Sequence, residues 1–129
     1  QAGKSALAQA HPLNLGAAGV DGSAAANAAL RAADLVVAVG TRLQDFTTGS
    51  RTLFPQARLL GINVAAHDAA KQGGVGLVAD ARVALQALSA ELGDLRFDAA
   101  DPQARLAWFY ERTPFYDDRY LLYPVGRED

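Results

Sequence analysis

The run Ala33-Asp34-Leu35-Val36-Val37-Ala38-Val39-Gly40-Thr41-Arg42-Leu43 constrains this chain more than any other stretch. Leu35 to Val39 is continuously apolar, so it has no polar face to turn to water. That is the pattern of a parallel strand buried on both sides. Gly40 breaks the run. Before it, the Ala-rich stretch Ala24 to Ala33 reads as a helix with Ser23 as its N-cap, alanine being the best helix former. Helix, buried strand, glycine and then Thr41-Arg42 is the order found in α/β sheets, which bind ligands beyond the carboxyl ends of their strands.

Two more apolar runs follow. Arg58 to Val64 reads as a second strand, and Val75 to Ala79 as a third, set off by Gly73-Gly74. A short helix over His67 to Lys71 joins them, while the polar stretch Thr41 to Ser50 reads as loop. Asp80 caps an amphipathic helix reaching Leu92, with Val83, Leu85, Leu88 and Leu92 at helical spacing and Gly93 at its end. Strands alternating with helices imply right-handed crossovers and a parallel sheet. The expected fold class is therefore α/β, a Rossmann-like three-layer domain. Three strands are few for such a sheet, so one or more are expected before Gln1. The resulting open edge needs a cover, from the C-terminal tail or from another chain.

Composition changes after Gly93, which divides the chain into residues 1–93 and 94–129. Eight of the ten aromatics lie in the second part: Phe97, Trp108, Phe109, Tyr110, Phe115, Tyr116, Tyr120 and Tyr123. Asp101-Pro102 starts a helix there, with Leu106, Phe109 and Tyr110 on one face, and Thr113-Pro114 ends it. A segment this apolar does not stay a solvated linker. It folds back on the domain or docks on a second copy, and the expectation favours self-association.

The remaining composition excludes more than it assigns. A net charge of −2 gives no basic field for nucleic acid or an anionic membrane. No apolar run approaches the roughly 20 residues of a spanning helix. Lys4 and its polar neighbours give no secretory leader pattern. With no cysteine there is no disulfide, thiolate nucleophile or Cys-bound zinc, which fits a cytoplasmic protein. Methionine is absent even at position 1, so the chain is expected to begin inside a longer reading frame or to be processed.

Gly3-Lys4-Ser5 matches the end of a phosphate-binding P-loop, but Pro12 prevents the long helix that should follow. Gly16, Gly19 and Gly22 precede a helix N-terminus, where free N–H groups favour anions, without the spacing of a dinucleotide fingerprint. Gly40-Thr41-Arg42 combines close backbone approach, a hydroxyl and a guanidinium that can fork onto phosphate; the plain alternative is a turn with a solvated arginine. Asp80 reads as a helix cap, and His11 and His67 as loop residues. No serine elbow or metal-ligand spacing is present, so the residues themselves assemble no catalytic apparatus.

Several blocks carry a family resemblance: Gln1-Ala2-Gly3-Lys4-Ser5, His11-Pro12-Leu13-Asn14, Ala33 to Arg42, Ile62-Asn63-Val64 and Ala79-Asp80-Ala81-Arg82. In this order they resemble the central domain of thiamine-diphosphate (TPP) enzymes of the acetolactate synthase type, over about residues 1–93. Gln44 to Ser50 and Gly61 to Val64 are most similar to a member that hydrolyses a carbon–carbon bond, opening a cyclic diketone in inositol breakdown. The resemblance implies a three-domain parent in which the other two domains hold TPP and Mg2+. It also implies that this chain alone is inactive and that the parent is oligomeric. The central domain binds FAD or ADP in some members. Carried over by position, Gly40, Thr41 and Arg42 would face that nucleotide, with Asn63 and Asp80 lining the same edge. Two departures count against FAD: Phe46 stands where flavin-binding relatives have an arginine, and Asn63 where an acidic residue is common. The alternatives are a stand-alone module that binds a nucleotide (ADP, FAD or NAD) or acts as a sensor, and the central domain of another TPP enzyme such as an acetolactate synthase.

Overall fold

In the computed structural model, residue 3 and residues 6–11 and 13–95 are described. The expected helix at residues 102–112 and the rest of the aromatic tail lie outside them.

Among the described residues three strands form one sheet: β1 (Leu35–Val39), β2 (Arg58–Asn63) and β3 (Val75–Val78), in the order β1-β2-β3. Both pairings are parallel, with Val37 beside Leu60 and Gly61 beside Gly76. The α/β expectation therefore holds, each strand coming from an apolar run with no polar face. Among the described residues four helices accompany the sheet: α1 (Ala24–Ala32), α2 (Asp45–Thr48), α3 (Ala66–Ala69) and α4 (Ala81–Leu92).

The boundaries show what local pattern missed. Thr41 to Ser50 is not all loop, because α2 forms within it; Gly49 ends that helix in the left-handed region at φ 55°. Two β-branched threonines in a four-residue helix gave no propensity signal. The connector expected over His67 to Lys71 is α3 followed by a 3-10 turn, Lys71–Gly73. His67, read as a loop residue, sits in α3. The second and third strands each end one residue earlier than their apolar runs.

Side chains alternate across a strand, so paired residues in a parallel sheet share a face. One face carries Val36, Ala38, Leu59, Gly61 and Gly76. It receives the core cluster of Ala38, Leu43, Leu53, Phe54 and Leu59, with Leu30, Val36 and Ala57 packed against it. The row Ala38, Gly61 and Gly76 is small for a reason. A Cβ built on Gly61 would collide with the carbonyl oxygen of Ala69, and one on Gly76 would lie 3.0 Å from the Ala69 carbonyl carbon. The missing side chains let α3 lie directly on the sheet.

The other face is unevenly covered. Ile62 is 1% exposed, yet Leu35, Val37 and Val39 on β1 are 47%, 42% and 37% exposed. The five apolar residues of β1 have the sequence of an inner strand and the position of an edge strand among the described residues.

Helix α4 packs against β2. The four-residue stripe expected on it is not what packs: Ala84 is its buried residue and Leu88 is half-buried, while Val83, Leu85 and Leu92 are exposed. Among the described residues, the three strands cover only part of the stripe. The cap is as expected, since Asp80 Oδ1 accepts from the backbone N–H of Arg82 at 2.9 Å and of Val83 at 3.1 Å. Asp80→Ala leaves both donors without this partner and should lower stability by about 1 kcal/mol. Urea unfolding followed by circular dichroism checks this.

Candidate functional site

The carboxyl ends of the strands gather the residues that sequence reading selected. Gly40 leaves β1 at φ 62°, a left-handed conformation that suits glycine. Its N–H donates to the Ile62 carbonyl at 2.8 Å, and a Cβ there would meet nothing within 4 Å. The backbone at Gly40 is thus both anchored and open to approach. Thr41 Oγ1 accepts from the Leu43 N–H at 3.2 Å, closing a tight turn and leaving its own proton free to donate.

Asn63 ties the first two strand ends together. Its Nδ2 donates to the Thr41 carbonyl at 3.1 Å, and its Oδ1 accepts from the Ala65 N–H at 3.0 Å. The residue is 9% exposed. Its amide is committed to backbone on both sides, so it positions the Gly40–Arg42 loop. The third strand end joins through the Ala79 N–H, which donates to the Asn63 carbonyl at 3.1 Å, and Asp80 follows directly. Gly40, Thr41, Asn63 and Asp80 are therefore set along one edge, with Asp80 Oδ1 engaged as a cap.

Arg42 is held by its backbone and free at its head. Lys71 Nζ donates to the Arg42 carbonyl at 2.8 Å and also pairs with Asp68 Oδ1 at 2.8 Å. Gln72 Nε2 reaches the Leu43 carbonyl at 3.4 Å. The Arg42 side chain is 74% exposed and its Nε lies 3.9 Å from Asp68 Oδ2, a loose contact that leaves most of the guanidinium available. Sequence reading missed the supporting pair Asp68 and Lys71. Their i,i+3 spacing is the one local signal they give.

The hydrogen bond from Lys71 holds the Asp68 carboxyl below its ordinary range; partial burial opposes this, and the charges of Lys71, Arg42 and His67 add to it. A carboxylate whose folded pKa is depressed adds stability above its unfolded value, about pH 4. That contribution is lost as pH falls through the folded value. Acid titration of the unfolding midpoint should show this loss below about pH 4, and Asp68→Asn should remove that part of the slope.

The glycine-rich entrance loop is pinned from two sides. Gly19 N–H donates to Asn27 Oδ1 at 2.9 Å, while Asn27 Nδ2 donates back to the Gly19 carbonyl at 2.8 Å. Val20 N–H donates to the Phe46 carbonyl at 2.8 Å. Ser23 caps α1 as expected, accepting from Ala26 at 3.0 Å. His11 serves its own loop, with Nδ1 accepting from the Leu13 N–H at 3.1 Å. Phe46 is 71% exposed, so the position compared with an arginine of flavin-binding relatives offers an apolar ring. Among the described residues no group of three or more His, Asp or Glu gathers as metal ligands, and no helix is long and apolar enough to cross a membrane. Lys4 and Ser5 lie outside the described residues.

Residues 1–88 match the family model described as the thiamine pyrophosphate enzyme, central domain. The chain belongs to this family. Curated relatives named 3D-(3,5/4)-trihydroxycyclohexane-1,2-dione hydrolase are similar to it. The one from Geobacillus thermodenitrificans is 46% identical over 110 residues, covering 84% of this chain and 17% of the relative. Those from Bacillus cereus and Clostridium perfringens are 40% and 38% identical over 126 residues, covering 93% of this chain and 20% of each relative. The chain thus spans about a fifth of the length of these relatives. As a central domain it has the parallel sheet and the strand-end loops in the order the sequence blocks set out.

Proposed function

We propose that this is the central, non-catalytic domain of a TPP-dependent hydrolase that breaks a carbon–carbon bond of a cyclic 1,2-dione in inositol breakdown. The observation that carries the reading is the breadth of the similarity: relatives bearing that name match 84–93% of this chain, beyond any single shared motif. TPP supplies the activated thiamine carbanion for such chemistry. Among the described residues, the strand ends do not fit a diphosphate–magnesium site. The two acidic residues at the strand ends are engaged, Asp80 as a cap and Asp68 by Lys71. The proposal therefore assigns TPP and Mg2+ to other domains of the parent, and those domains are this one's partners. The parent is proposed to be a cytoplasmic homo-oligomer, and the net charge of −2 supports no nucleic-acid or membrane role.

The test is a ring-opening assay with TPP, Mg2+ and the cyclic dione. The full reading frame that contains this chain should open the ring, and this chain alone should not. Turnover by the chain alone would overturn the non-catalytic role; no turnover by the full protein would overturn the hydrolase.

A second reading, a domain that itself binds ADP, FAD or NAD, is favoured by the open space over Gly40 and the exposed Arg42 head. In it Gly40 admits the ligand, Thr41 donates its hydroxyl proton and Arg42 pairs with phosphate. Calorimetry with each nucleotide decides it, stoichiometric binding supporting the reading and absence of heat overturning it.

A further inference from the structure

We infer that residues 44–51, with α2 at their centre, form a hinged flap that Lys71 and Gln72 latch shut. The reason lies in where the backbone is forced. Among the described residues four non-glycines have positive φ: Leu43 at 46°, Ser50 at 52°, Arg51 at 70° and Gln72 at 61°. L side chains resist this left-handed region, and such residues persist only where their surroundings impose it. Their placement is not scattered. Leu43 stands directly before Gln44, the cap of α2, and Ser50 and Arg51 directly follow Gly49, itself at 55°. The fourth, Gln72, is the residue whose side chain reaches Leu43.

The latch grips the entry to α2. Lys71 Nζ donates to the Arg42 carbonyl at 2.8 Å, and Gln72 Nε2 to the Leu43 carbonyl at 3.4 Å. Two consecutive side chains thus hold two consecutive carbonyls, one tightly and one loosely. The exit is stitched to Thr48, which is fully buried. Its Oγ1 accepts from the Arg51 N–H, and its carbonyl from the N–H groups of Thr52 and Leu53, each at 3.1 Å. Leu43 and Leu53 both belong to the core cluster, so the two ends of the span are fixed. Between them Thr48 is the one residue that the described residues bury, so opening has one small side chain to withdraw. Hinges are element-terminal positions that absorb φ/ψ changes, and the left-handed residues stand at such positions. When the latch lets go, Leu43 relaxes toward an ordinary conformation and the Arg42–Leu43 peptide rotates. The flap is therefore coupled to the Gly40–Arg42 loop, whether or not that loop binds a nucleotide.

Amide hydrogen exchange of the full chain, followed by NMR, tests this without any ligand. The N–H groups of Thr48, Ser50 and Arg51 donate within the flap, to the Gln44 and Asp45 carbonyls and to Thr48 Oγ1. They should exchange through one shared opening, about tenfold or more faster than the protected amides of β2, and with little response to small additions of urea. Gln72→Ala removes half of the grip. It should speed the flap amides several-fold further and leave β2 unchanged. Ser50→Gly acts in the opposite sense, because glycine takes the left-handed conformation freely, and it should slow the flap amides several-fold. Equal acceleration of the flap and β2 by Gln72→Ala would mark an ordinary structural bond and overturn the proposal. So would flap amides that exchange only together with β2, or that neither substitution moves.

Discussion

Gly61→Ala should destabilise the domain by about 2–4 kcal/mol, although it adds a single methyl group. In an open strand the same change is favourable by up to about 1 kcal/mol, because alanine has less freedom to lose on folding. Here the sign reverses. The new Cβ would collide with the Ala69 carbonyl oxygen, which is backbone and cannot rotate away. Relief requires α3 to lift from the sheet, exposing Ala69, now 1% exposed, and carrying Asp68 away from Arg42. A small domain holds only about 5–15 kcal/mol in total, so much of the population unfolds on mild urea. Gly40→Ala is the control. Its Cβ would meet open space, so it should cost only the left-handed strain, about 1–2 kcal/mol. Urea midpoints of the two variants, measured in the full chain, separate the mechanisms. Equal small losses would show that α3 is not seated on Gly61 as the structure has it.

The same contrast explains what could be read from the sequence. The three strands were readable because each is a largely apolar run that ends near a glycine, Asn or Asp, a signal contained in five to seven consecutive letters. The caps Ser23 and Asp80 were readable because a cap is local, its donors lying two or three residues on. The row Ala38, Gly61 and Gly76 was not readable as a row. Its meaning exists only once the parallel register places the three side by side. The helix α4 was readable from its cap and spacing, but periodicity says which residues could face a core, not which of them the described residues cover. At the strand ends, Gly40-Thr41-Arg42 stood out from its place after a strand, but its support did not. Asn63 lies 22 residues from Thr41, and Lys71 lies 29 from Arg42; no local pattern joins such pairs.

Asn63 provides the last and most diagnostic prediction. Asn63→Asp nearly preserves shape and introduces the acidic residue that the resemblance makes common at this position. It should nonetheless cost about 2–4 kcal/mol at neutral pH. The oxygen facing Ala65 still accepts, but the atom facing the Thr41 carbonyl changes from a donor to a charged acceptor. Two oxygens then face each other at a site 9% exposed, where water gives little relief. The charged form is disfavoured in the folded state, so the variant's folded pKa lies above its unfolded value of about 4. A raised carboxylate pKa makes the penalty smallest below about pH 4 and larger as pH rises through the folded pKa. Once protonated, the introduced carboxyl group can donate to the Thr41 carbonyl as the amide does. The difference in unfolding free energy between variant and unmodified chain should therefore shrink on acidification, even though both lose the Asp68 contribution there. Asn63→Ala lacks the carboxylate and should show a difference independent of pH. A flat profile for Asn63→Asp would mean that residue 63 does not brace the Thr41 carbonyl, and the Gly40–Arg42 loop would then need another support.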